Sequence, residues 1–264
     1  MQSELQLTSD QRDAVQAYLR VTAAAGRDTE RHGPFLATFS RDTTHPLLNY
    51  AIPDPGARPS PGDVAALVAA YRDRGLVPRL EFLTDVAPGV EPVLLAAGFT
   101  VELRPPLMVC RPGDAVPLPV PPGIELRTPW TDAERLALVT ATHEAYGQAE
   151  PPTDADARGI HHLLAGGGFA VLARDAVTRD PAGGGIGTEA LDGITELAGF
   201  GVRQRFRRRG IAAAITGHLV AAAHEAGVHT AFLTPGGEAA ERVYARAGFG
   251  GRTEMLHLRL GDLA

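Results

Sequence analysis

The run RFRRRGIAAAI, Arg205 to Ile215, sets four arginines against a glycine and an apolar stretch. Guanidinium groups recognise phosphate and carboxylate through charge-assisted hydrogen bonds. A helix opening at Gly210 would have first-turn amides without intrahelical partners and a dipole adding partial positive charge, so a phosphate is stabilised there. Gly210 lets the backbone approach such a ligand closely, and the small Ala212 keeps the next turn clear. The whole chain has 25 Lys+Arg against 31 Asp+Glu, a net charge of −6, so the basic knot is a local exception. A diphosphate suits it better than a nucleic-acid duplex, which calls for a broad positive field and aromatic interleaving. Taken alone, the arginines are equally explained as a solvated helix start. The glycine spacing is neither a GxxxxGK[ST] loop nor a GxGxxG turn.

Periodicity and capping residues define the elements around this junction. IELR from Ile124 opens a short strand, Thr131 or Asp132 caps a helix running to about Tyr146, and Asp154 caps another to about Leu164. FAVLAR from Phe169 is a strand, and GGGIGTEALDGITELAGFGV reads as two strands around Asp192-Gly193, a pair suited to a tight hairpin. The second of these strands runs straight into the arginines. Helical residues then continue from Gly210 to about Ala226, followed by a strand FLT. The arginine loop therefore lies between a strand and a helix N-terminus.

The two halves of the chain echo each other. LVAAYRDRG at Leu67 to Gly75 resembles LVAAAHEAG at Leu219 to Gly227, and FLTDVAPGVEPVLLAAGF at Phe82 to Phe99 matches FLTPGGEAAERVYARAGF at Phe232 to Phe249 without a gap. Both copies read as helix, glycine stop, short strand, loop, second helix and a closing glycine-aromatic pair. Between the halves, PGDAVPLPVPPG at Pro112 to Gly123 has five prolines in twelve residues, whose fixed φ and missing donors favour a stiff extended linker. The expected division is residues 1–111, a linker at 112–123, and a C-terminal domain at 124–264.

With 44% hydrophobic and 21% charged residues the chain reads as globular. Cys110 is the only cysteine, which rules out an intramolecular disulfide and a cysteine metal cluster. No metal-ligand constellation stands out. The N-terminus MQSELQLTSDQRDAV lacks the apolar core of a secretory signal, and the apolar runs are too short to span a bilayer, so a cytoplasmic protein is expected.

Arg207-Arg208-Arg209-Gly210-Ile211-Ala212 has the form RxxGxA, follows the strand ending Phe200-Gly201-Val202, and precedes ERVYARAGF by a helix and a strand. This ordered set resembles the GNAT superfamily of acyl-CoA-dependent N-acyltransferases, over roughly Ile124 to Leu260. The family's diphosphate loop reads [QR]xxGx[GA], and a later helix carries a tyrosine four residues before a glycine-phenylalanine pair. The resemblance implies an α/β (α+β) fold of two GNAT-like units, each a mixed, mostly antiparallel sheet flanked by helices.

It also implies roles. Arg207, Arg208, Arg209, Gly210, Ile211 and Ala212 would hold the diphosphate of acetyl-CoA, and Phe200, Gly201 and Val202 would offer backbone hydrogen bonds to its pantetheine arm. Tyr244 occupies the position of the general acid that protonates the departing thiolate; its plainer reading is an aromatic packed in the core. Glu196 stands where many members carry a glutamate able to deprotonate the amine through water, although strand alternation could equally turn it to solvent. Gly237 replaces an asparagine common seven residues before the tyrosine, so a backbone group or water takes over that contact. Glu144, Glu150, Asp154 and Asp156 would suit a cationic acceptor, and also serve as caps and solvated helix faces; His143, His161 and His162 read as structural or surface residues.

The function implied is direct acyl transfer from acetyl-CoA to a small-molecule or protein amine, with no metal, nucleic acid or membrane; a homodimer is compatible. The alternative is a non-catalytic acyl-CoA-binding sensor or scaffold. The N-terminal half lacks the motif. Leu94 stands at the Tyr244 position, and extending the helix alignment backward sets Ala57 and Arg58 against Arg209 and Gly210, within a proline-rich PGARPSPGD.

Overall fold

The computed structural model describes residues 7–148 and 150–261, which divide between two compact units, Met1–Leu107 with Arg252–Ala264, and Met108–Gly251. In the first unit, helix α1 (Ser9–Ala24) opens with a capping box of Thr8 and Gln11. Strands β1 (Asp28–His32), β2 (Phe35–Phe39) and β3 (Ala51–Pro53) follow. Helix α2 (Pro61–Arg72), strand β4 (Arg79–Leu83), helix α3 (Val90–Ala96) and strand β5 (Thr100–Leu103) form the N-terminal copy of the repeat. The last strand of the chain, β12 (Gly250–Arg259), completes the unit.

The sheet of this unit runs β1-β2-β3-β4-β12-β5, and its pairs are antiparallel apart from β3 with β4, which meet in parallel at Ala51 and Leu80. Alternation along β4 sends Leu80 and Phe82 into a core with Phe35, Leu67, Tyr71 and Leu94. On the opposite face Arg79 is fully buried. Its Nε donates to Glu102 at 2.7 Å, its Nη2 meets His257 Nδ1 at 2.9 Å, and its Nη1 pairs with Glu81. Burial works against the Arg79 charge, but the two carboxylates outweigh it and raise its pKa.

The second unit takes residues 108–110 of strand β6 (Pro106–Cys110), then β7 (Ile124–Arg127), helices α4 (Asp132–Tyr146) and α5 (Asp154–Ala165), and strands β8 (Phe169–Asp175), β9 (Pro181–Gly187) and β10 (Ile194–Val202). Helix α6 (Ile211–Glu225), strand β11 (Thr230–Leu233) and helix α7 (Glu238–Arg246) complete it. Its sheet runs β6-β11-β10-β9-β8-β7, with β10 and β11 parallel and the other pairs antiparallel. The mixed, mostly antiparallel architecture expected from the sequence is present in both units.

Local chemistry explains the elements. Thr131 and Glu134 make a capping box on α4, and Thr153 with Asp156 does the same for α5, so Thr153 is the cap there in place of Asp154. Asp192 and Gly193 both have positive φ, 49° and 71°, as the tight hairpin requires. The glycines of β9 admit helices close to both faces. A Cβ on Gly184 would strike Leu138 of α4, and one on Gly185 would lie 3.2 Å from Ile215 and Leu219 of α6.

The units depart from the consecutive halves expected on either side of the proline-rich stretch. Each FLT strand has a parallel neighbour on one flank and needs an antiparallel strand on the other. For β11 that strand is β6, with Phe232 opposite Val109, and for β4 it is β12, with Leu256 opposite Phe82. The stretch Pro112 to Gly123 forms no helix or strand, but it is a docked strap rather than a free spacer. Val116 N–H donates to Ala247 O at 3.1 Å, Leu118 packs on the core of the second unit, and the Asp114 carbonyl occupies the space a Cβ would need at Gly248.

Candidate active site

Strands β10 and β11 pair only from Ile194 with Thr230 to Glu196 with Phe232. Beyond Glu196 they part, and β10 carries a bulge between Ala198 and Gly201, where Gly199 takes φ +64°. The opening is a cavity of about 620 Å³ in the second unit, walled by Phe200, Gly201 and Val202 of β10, by Ala145 and Tyr146 of α4, by the start of α6 and by α7. Phe200, Gly201, Val202, Arg207, Arg208, Gly210, Ile211, Ala212 and Tyr244, all singled out in the sequence, line it together. Glu196, Arg209 and Gly237 are not part of its wall.

The loop between β10 and α6 contains a short 3₁₀ turn, Gln204–Phe206, which the sequence reading did not anticipate. Gly210 is the N-cap of α6 in a left-handed conformation, φ +81°, and no side chain caps the helix. The arginines divide their work. Arg205 pairs with Asp180 at 2.8 Å and, like Arg209, lies over the Phe206 ring. The Arg207 guanidinium donates to Val202 O and Ala145 O, both at 2.9 Å, joining the end of β10 to the end of α4. Arg208 has φ +61°, faces the cavity, and has no ion-pair partner among the described residues. Arg246 of α7, which the sequence reading passed over, also lines the cavity; its Nε donates to Arg242 O at 3.2 Å.

The first unit shows the contrast. Helices α2 and α6 begin at the same offset that relates the two FLT strands, so Ser60, not Arg58, stands opposite Gly210. There Ser60 and Asp63 form a capping box, with Ser60 N–H donating to the Asp63 carboxylate at 2.8 Å. The backbone hydrogen bond from Ser60 holds the Asp63 carboxyl below its usual range, so a fixed negative charge occupies that helix start. Leu94 is buried in the core, as its place opposite Tyr244 required.

Tyr244 is 8% exposed and packs its ring against Phe200 and Phe249, with centroids at 5.2 and 6.2 Å. Tyr244 packs in the core of the second unit and also lines the cavity. Burial first, and the nearby Tyr146 second, push its pKa well above that of a free phenol. The hydroxyl thus keeps its proton at neutral pH, the state a general acid requires.

Tyr146 is a site residue that the sequence reading assigned only to a helix end. Its hydroxyl donates to Phe200 O at 3.1 Å from the last residue of α4. The sole sequence signal was its place directly before Gly147, a left-handed C-cap.

Leu197 packs in the core with Ile211, Ile215 and Leu219 of α6, so alternation turns Glu196 to the face covered by α4 and α5. Its backbone N–H donates to Thr188 Oγ1 at 3.0 Å and its carbonyl accepts from Thr188 N–H at 2.9 Å, fixing the strand at the point where the split begins. Two of the four acidic residues near α4 and α5 singled out in the sequence are engaged. Glu144 makes two 2.6 Å contacts with Arg203, and Asp156 belongs to the α5 capping box. Among the described residues no group of three or more His, Cys, Asp or Glu could hold a metal ion. No helix among them is long and apolar enough to cross a membrane.

A split between two parallel strands, an uncapped helix start and a protonated phenol meet on one cavity of this α/β unit. Residues 133–249, which lie within the second unit, match the family model described as Acetyltransferase (GNAT) family. The chain is similar to a GCN5-related N-acetyltransferase from Kribbella flavida, at 25% identity and a TM-score of 0.80 over 96% of each chain. A GCN5-related N-acetyltransferase from Sphaerobacter thermophilus shares the fold at 18% identity and a TM-score of 0.65, covering 88% of this chain and 83% of that one. A tandem GNAT protein from the clavulanic acid biosynthesis pathway shares it at 15% identity and 0.62, covering 98% of both. No curated protein matches the sequence.

Proposed function

We propose that the second unit transfers an acetyl group from acetyl-CoA directly to an amine. The observation that carries this reading is the opening of the uncapped α6 start, with Arg208 beside it, into the same cavity that holds the Tyr244 phenol. The diphosphate would sit on the amides of Ile211 to Ala213, with Arg208 and Arg246 adding charge. The pantetheine arm would lie along Phe200 to Val202, where β10 has parted from β11 and its outer edge lacks a strand partner. Arg207 contributes by holding the walls together, since its guanidinium is occupied by two carbonyls.

Direct transfer needs a deprotonated amine, an attack on the thioester carbonyl, and a proton for the leaving thiolate. Tyr244 supplies that proton. Glu196, on the α4 and α5 face at the start of the split, takes the amine proton through water, because it is not part of the cavity wall itself. Of the acidic residues suited to a cationic acceptor, Glu144 is clasped by Arg203 and Asp156 caps α5. The first unit, with a carboxylate at its α2 start and Leu94 in place of the acid, carries no transfer of its own. Acceptors are small-molecule or protein amines, met in the cytoplasm.

The separation of Glu196 from the cavity wall favours one rival, a protein that binds acyl-CoA without turnover. Calorimetric titration with acetyl-CoA, followed by thiol release measured over a panel of amines, tests both. Binding with amine-dependent thiol release supports the transferase. Binding with none supports the sensor, and absence of binding refutes both readings.

A further inference from the structure

In both units the strand before the repeat helix runs parallel to the FLT strand and then parts from it, and each gap receives a side chain from a helix earlier in its own unit. In the first unit that side chain is Gln16 of α1, fully buried. Its Nε2 donates to Pro53 O at 3.2 Å and its Oε1 accepts from Leu83 N–H at 3.0 Å, so one carboxamide bonds both lips of the gap beyond Ala51 and Leu80. Arg20 of the same helix adds a 2.8 Å bond to Ile52 O. This plug is fixed: removing it would leave a buried donor and a buried acceptor unpaired.

The second unit fills its gap differently. Tyr146 is 60% exposed and bonds one lip only, Phe200 O on β10. The backbone around it is anchored, because Arg207 binds Ala145 O and Arg203 clasps Glu144, while Gly147 ends the helix directly after Tyr146. The phenol can therefore leave by rotation of its own side chain without moving α4, a motion that is fast for exposed residues.

Resting on the proposed acetyl-CoA site, we infer that Tyr146 is a displaceable latch on that site. In the unliganded protein its hydroxyl satisfies the Phe200 carbonyl, an acceptor on the open edge of β10, and an entering pantetheine amide takes the same carbonyl by displacing it. The latch keeps the split strand hydrogen-bonded while empty, which the cavity's apolar wall would otherwise make costly. It does so with a bond weak enough to yield to the cosubstrate. The first unit, with its two-sided buried plug, has lost that option.

Displacement costs binding the bond it breaks. A net hydrogen bond of about 1 kcal/mol corresponds to roughly fivefold in affinity. Acetyl-CoA is titrated calorimetrically into the full chain carrying Tyr146→Phe or Tyr146→Leu, with the wild type alongside. Both variants should bind about fivefold tighter, a gain that a damaged fold does not produce. Wild-type binding with unchanged or weaker affinity in both variants overturns the latch and leaves the acetyl-CoA site standing. Failure of the wild type to bind acetyl-CoA overturns the site and the latch with it.

Discussion

The difference between the two helix starts can be transplanted. Asp63 at the third position of α2 accepts from the Ser60 amide and puts a carboxylate at the helix start, whereas α6 has Ala213 there, at the cavity wall, and no side-chain cap. Ala213→Asp gives α6 the carboxylate at its third position, without the hydroxyl half of the box, because Gly210 has no side chain. Without ligand the carboxylate meets the amides and dipole of the first turn, worth about 0.5–1 kcal/mol, so the melting temperature should rise by about 2 °C. With ligand the sign reverses. A carboxylate about 4 Å from a phosphate charge, at an effective dielectric constant of about 20, opposes binding by about 4 kcal/mol, roughly a thousandfold in Kd. Calorimetry with acetyl-CoA and a ligand-free melt of the same sample read the two effects. Opposite movement of stability and affinity separates anion exclusion from misfolding. A variant that keeps wild-type affinity, or loses less than about tenfold, would show that the diphosphate does not sit on the first turn of α6.

Three further outcomes follow from the same geometry. Tyr244→Phe keeps the ring contacts with Phe200 and Phe249 and removes only the proton, so acetyl-CoA affinity and melting temperature should hold while turnover falls roughly 100- to 10,000-fold; unchanged turnover with chemistry limiting would assign the proton to another donor. Gln16→Leu strands Leu83 N–H and Pro53 O and should cost about 3 kcal/mol in urea denaturation with no change in acetyl-CoA affinity, and a second binding site per chain would contradict the plug. For Glu81, burial pushes the carboxyl pKa up, but the His257 hydrogen bond and the Arg79 charge outweigh it and hold the pKa below its usual value. The depressed folded pKa means the Glu81 contribution is present above the unfolded value, near 4.3, and is lost as pH falls through the folded one. Glu81→Gln should therefore cost about 3 kcal/mol at pH 7, and the gap to wild type should close in acid; a gap independent of pH would place the cost elsewhere.

The sequence alone determined what depends on neighbours along the chain. The RxxGxA run after a strand marked the start of α6, Asp192-Gly193 marked the turn between β9 and β10, and Thr131 or Asp132 marked the start of α4, because caps and tight turns are made by residues within a few positions of each other. The repeat revealed two like units, and the placement of Tyr244 before Gly248-Phe249 brought the phenol to the cavity. The same locality made the capping box at Ser60 and Asp63 legible in principle, but a helix alignment led by similar Ala-rich turns slid by two residues and hid it.

Tertiary structure decided whatever required a choice among distant partners. Four adjacent arginines look equivalent in sequence, yet Asp180, the carbonyls of Val202 and Ala145, and the Phe206 ring engage three of them and leave Arg208 facing the cavity. Tyr146 was one aromatic at a helix end until the bulge in β10 presented the Phe200 carbonyl to it. The partners of β11 and β4 were undetermined for the same reason. A strand's edge is satisfied by any backbone in register, so its sequence specifies that it pairs but not with which strand.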